Sequence, residues 1–119
     1  MAYLLVFFGG GLGSVFRFII SGCLVPFNLN VIWSTLTANL IACTIVALLV
    51  LSKFFIEHML LQPFLIIGFC GGLSTFSTWS AENFQLLQSG KYEMFILNVV
   101  LSIGMGLLPF ILLYRYRQL

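Results

Sequence analysis

Four apolar runs, each close to the ~20 residues that cross a bilayer as a helix, take up almost the whole chain and leave it few other ways to fold. They extend roughly over residues 3–25, 31–52, 63–87 and 94–114. The connections between them are short: Pro26 to Asn30, Lys53 to Gln62, and a tight turn at Ser89, Gly90, Lys91 and Tyr92. Helices joined by so little chain are expected to be antiparallel neighbours. Charged residues make up 7% of the sequence, against about 25% in a soluble domain, so the chain cannot cover a water-facing surface. The reading is an all-α membrane protein of four transmembrane helices, one domain over residues 1–119 with no soluble part. The first run carries Arg17 and has no small-residue cleavage site behind its apolar stretch, so it is not read as a signal peptide. A net charge of +2 without a clustered basic patch gives no footing for nucleic acid.

The third run is the irregular one. Its centre reads Gly68-Phe69-Cys70-Gly71-Gly72-Leu73-Ser74-Thr75-Phe76-Ser77-Thr78-Trp79. Glycine weakens a helix interior because it loses the most backbone freedom on ordering. Ser and Thr offer the backbone competing hydrogen bonds. The combination predicts a third helix broken at mid-membrane. Lipid cannot satisfy the carbonyls such a break frees, so it must face protein, water or an ion, as broken helices in transporters do. The alternative is a small-residue packing face between unbroken helices.

Polar residues recur at helical spacing in the neighbouring runs. Thr35, Asn39 and Cys43 share one face of the second, and Asn98, Ser102 and Gly106 one face of the fourth. An asparagine at membrane depth either joins helices or lines a polar path, and its amide can donate to an anion. Phe76 and Trp79, three apart, share a face after the break; ring edges are positive and can meet an anion. Gly9 and Gly13 form a G-x-x-x-G for close backbone approach. Arg17 either snorkels to an interface or draws anions to a vestibule. Glu82 is placed to reach an interface or to pair with Arg17 or a hydroxyl, and Pro109 to bend the last turns of the fourth run. The scattered Cys23, Cys43 and Cys70 read as small buried hydrophobes, and His58 as a solvated loop residue. No nucleophile–base pair or metal-ligand spacing points to an enzyme.

The third-run motif resembles the signature of the Fluc (CrcB) fluoride channel family. Gly9-Gly10-Gly11 through Arg17, and Ser34-Thr35-Leu36-Thr37-Ala38-Asn39, match as well, and the likeness covers all four runs. Such proteins are passive, selective fluoride exporters of the microbial cell membrane. The resemblance implies an antiparallel dimer with two pores and a structural, untransported sodium ion between the third-run breaks. That ion would be held by backbone carbonyls at positions matching Gly71 and Ser74. The family's pore groups match Asn39, Thr35, Phe76 and Ser102, with Thr75 inside the motif, and its vestibule arginine matches Arg17. Two positions depart from the pattern. The second ring of the pair is Trp79 where phenylalanine is usual, and Gly106 stands where a second serine often lies. An alternative is therefore a non-conducting subunit, or one that depends on a related partner chain, in a heteromeric channel. A four-helix drug exporter is the other; it would need a carboxylate deep in the first run, which has none. The antiparallel homodimer is the arrangement expected here.

Overall fold

The computed structural model describes residues 1–24, 26, 31–52, 58 and 61–119, and all of its regular structure is helical. Helix α1 spans Ala2–Leu24 and α2 spans Val31–Leu51. A π-helical stretch, Pro63–Cys70, runs into one helical turn at Gly71–Leu73; together these form α3. Helix α4 covers Phe76–Gln88 and α5 covers Tyr92–Gln118. Counting α3 and α4 as one run, four helices are long and apolar enough to cross a membrane: Ala2–Leu24, Ile32–Leu51, Pro63–Gln88 and Tyr92–Gln118. The expected connections around residues 25–30 and 53–60 lie mostly outside the described residues.

The turn before α5 forms as its residues require. Gly90 adopts a positive φ of 69°, open to glycine at no steric cost. It closes α4 with a Schellman pair: Lys91 N–H to the Leu86 carbonyl at 2.9 Å and Gly90 N–H to the Leu87 carbonyl at 3.1 Å. Helix α5 outruns the expected 94–114 and continues through a buried Pro109 to Gln118. Its last turn is extended by Arg115 and Arg117, cations favoured at a helix C-terminus. Arg117 Nη1 also donates to the Leu51 carbonyl at 2.8 Å, satisfying an orphan acceptor at the end of α2.

Consecutive helices are neighbours, as the short connections led one to expect, and packing adds closer partners. These are α1 with α3, and α2 with α5. Glycines make the first pairing possible. A Cβ at Gly9 would lie 3.0 Å from Phe69 N and 3.1 Å from Gly68 Cα, and one at Gly13 would lie 2.8 Å from Leu73 N. From the other side, a Cβ at Gly68 would lie 3.0 Å from Gly9 Cα, and one at Gly72 would run into the Gly10 backbone. Gly9–Gly13 and Gly68–Gly72 are thus two facing G-x-x-x-G ridges, with backbone against backbone. Their order shows both segments running the same way, Gly9 beside Phe64 to Phe69 and Gly13 beside Phe69 to Leu73. Phe16 and Phe69 meet edge to face, centroids 5.6 Å apart and planes at 70°, joining the same two helices. Between the pairs lies a small buried core of Ala38, Ala42, Cys70 and Leu73. Ser21 and Ser34 hydroxyls, 2.5 Å apart, link α1 to α2.

A polar cleft at the α3–α4 junction

Helical geometry stops at Ser74 (φ −76°, ψ 154°) and Thr75 (φ −150°, ψ 116°), both extended, and resumes at Phe76. Side chains hold the interruption. The Ser74 hydroxyl donates to the Cys70 carbonyl at 2.8 Å. Thr75 caps α4: its Oγ1 accepts from Thr78 N–H at 3.2 Å, which occupies an otherwise orphaned donor. A continuous helix would send Thr75 N–H to the Gly71 carbonyl. Here Thr75 N–H donates to Asn39 Oδ1 at 2.9 Å instead.

That bond settles which end of the Asn39 amide faces where. Only oxygen can accept from an N–H, so the amide oxygen is committed to the junction and the NH2 group, two donors, stays unbonded. Asn39 borders a cleft of about 300 Å³ together with Ser74, Thr75, Phe76, Trp79 and Ser102. Cys43 and Gly106 complete its polar and small-residue rim. The Phe76 and Trp79 rings touch, with centroids 5.3 Å apart and planes tilted by 35°. Eight of the residues singled out in the sequence therefore meet at one place.

The others lie elsewhere. Thr35 is buried and donates its hydroxyl to Glu82 Oε1. Of the two partners open to Glu82, the hydroxyl is the one it takes. The second carboxylate oxygen, Oε2, is buried with no hydrogen-bond partner. Arg17 is half-buried on α1, one turn past Gly13, and does not border the cleft. Gly71 is exposed, and a Cβ there would come no closer than 3.8 Å, to the Ile66 carbonyl.

Two parts of the arrangement escaped the sequence reading. Asn83, buried one turn beyond Trp79, gave no signal beside the acidic Glu82; its spacing of four from Trp79 was the available clue. The indole of Trp79 donates through Nε1 to Ser102 Oγ at 2.9 Å, so the extra donor that distinguishes tryptophan from phenylalanine is engaged within the chain.

Four spanning-length helices and a cleft lined by an amide, hydroxyls and two rings define a small polytopic membrane protein. Residues 4–113 match the model of the family described as CrcB-like protein, Camphor Resistance (CrcB), and the chain belongs to that family. It is similar to several proteins named fluoride-specific ion channel FluC. The one from Azobacteroides pseudotrichonymphae is 40% identical over 106 residues, covering 86% of this chain and 84% of the relative. That from Serratia proteamaculans is 40% identical over 115 residues, covering 92% and 91%. That from Pyrococcus abyssi is 44% identical over 102 residues, covering 84% and 82%.

Proposed function

We propose that this chain is a subunit of a fluoride-selective channel that releases cytoplasmic fluoride passively across a bacterial plasma membrane. The observation that carries the reading is the Asn39 amide, its oxygen tied to Thr75 N–H and its NH2 free at the cleft. Fluoride is small and strongly hydrated, so a selective path must replace water with donors while holding the ion weakly enough to release it. An uncharged amide and the positive edges of Phe76 and Trp79 meet both demands. Arg17, away from the cleft, raises the local anion concentration without forming a trap.

The relatives' shared name, fluoride-specific ion channel, supports the substrate. We further propose that two chains pair antiparallel with the third-span breaks facing each other at mid-membrane. Gly71 loses the donor a continuous helix would supply and is exposed. Its carbonyl and that of Ser74 would hold a structural sodium ion, which supplies positive charge at the junction. A second reading, a subunit needing a related partner, is favoured by the bare Gly106 and by a Trp79 donor spent on Ser102.

Efflux from proteoliposomes, followed with a fluoride electrode, tests the assignment. Asn39→Ala is expected to lower efflux by roughly tenfold or more, the loss of about one hydrogen bond to an ion, and Phe76→Ile to lower it strongly by removing the ring edge. Both variants should remain monodisperse in detergent. Wild-type rates in both would remove the cleft from the path.

A further inference from the structure

Four hydrogen bonds, two of them crossing between α4 and α5, form a closed circuit that begins and ends on Trp79. Its indole Nε1–H donates to Ser102 Oγ at 2.9 Å. The Ser102 hydroxyl donates to Asn98 Oδ1 at 3.4 Å. Asn98 Nδ2 donates to Asn83 Oδ1 at 3.1 Å. Asn83 Nδ2 returns to the Trp79 carbonyl at 2.9 Å. Donors and acceptors run in one sense around the ring, and both asparagines are nearly sealed, Asn83 at 5% and Asn98 at 2% exposure. Neither asparagine borders the cleft; Trp79 and Ser102 do.

We propose that Asn83 and Asn98, acting through Ser102, are positioning residues that latch the Trp79 indole as a fixed wall of the anion path. The proposal rests on the channel reading above. A polar circuit in a low-dielectric setting is either fully satisfied and rigid or costly, and this one satisfies the indole N–H by fixing the ring that carries it. Without the latch, the N–H becomes a strong donor free to turn into the cleft. There it holds the anion too firmly for release, while the loosened ring obstructs the passage. Ser102 is thereby a support for the wall, and the hydroxyl is withheld from the ion. The latch requires tryptophan: phenylalanine at this position keeps the main-chain carbonyl that Asn83 holds but has no donor for Ser102, so the circuit opens and no longer fixes the ring.

The test is a pair of cycles. Ser102→Ala and Asn98→Leu, each made in the native chain and in a Trp79→Phe background, are compared for fluoride efflux. Either substitution is expected to slow efflux roughly tenfold in the native chain, the scale of one lost hydrogen bond, and to change nothing further in the Trp79→Phe background. Equal slowing in both backgrounds, or none in either, overturns the latch. Ser102→Ala removes only one hydroxyl and keeps the test decisive if Asn98→Leu fails to fold.

Exchange of the Trp79 indole N–H, read by NMR in detergent with Trp33 as internal reference, probes the latch without reference to transport. Slow exchange in the native chain that becomes fast in Ser102→Ala supports it. Fast exchange in both overturns it. A chain that carries no fluoride yet shows the protected indole retains the latch and fails only the channel reading.

Discussion

Glu82 is a carboxylate whose Oε1 accepts from the Thr35 hydroxyl while Oε2 is buried without a hydrogen-bond partner. Such a group depends heavily on the partner it has. Thr35→Val keeps the shape and removes the donor, and should lower stability by about 1–3 kcal/mol, the cost of a buried polar group left unmet. Thr35→Ser should recover most of it, as read by thermal unfolding in detergent. Ser74 offers the opposite case. Its hydroxyl donates to the Cys70 carbonyl, and the proposed cation site uses its main-chain carbonyl, which a change of side chain leaves in place. Ser74→Ala should therefore retain the proposed sodium in an electron-density map, and a lost ion would show that the hydroxyl is a ligand. At this scale the sequence was partly legible. Asn39, Phe76 and Trp79 stood out because amides and paired rings are unusual in an apolar run. Which atom bonds which was not legible, because Thr75 N–H meets Asn39 only after two distant helices have packed.

Helices carry the next level of organisation, and the glycine ridges of α1 and α3 are its most demanding contact. Gly68 allows no Cβ without displacing the α1 backbone at Gly9 and Val6, each 3.0 Å away. Gly68→Ala should destabilise the domain by about 1–3 kcal/mol through overpacking. Gly22→Ala, with nothing within 4 Å of its Cβ, should leave the unfolding temperature within a degree or two of wild type, given the small effects of open surface sites. Equal sensitivity at both positions would mean that the crossing does not hold the fold. Span positions were readable from hydropathy, since lipid leaves little freedom in helix length. The tightest pairing was not. Short connections favour sequential neighbours, but facing glycines permit a closer approach than any side-chain interface, and that gain pairs α1 with α3. The π-helical turns of Pro63–Cys70 likewise leave no composition signature, because they follow from hydrogen-bond register and not from residue type.

For the whole molecule, orientation is governed by few charges. By the order of four spans, Lys53, Arg115 and Arg117 fall to one side, against Lys91 on the other, or three to two with Arg17, which lies in the first span nearer that other side. The excess of Lys and Arg favours cytoplasmic termini, and only by a small margin. An antiparallel homodimer needs one sequence inserted both ways. Carboxy-terminal fusions to reporters active only inside, or only outside, the cell should therefore both give signal. Signal from the inner reporter alone, with no efflux by the purified chain, would require a partner of opposite orientation. The pairing of α1 with α3 also imposes a schedule on synthesis. The first helix emerges long before the surface it is shaped for, and its glycine ridge waits in lipid while the second helix passes. Until Gly72 has been made there is no surface to receive that ridge, so α1 reaches its closest contact only after the whole of α2 and α3 has been added to the chain.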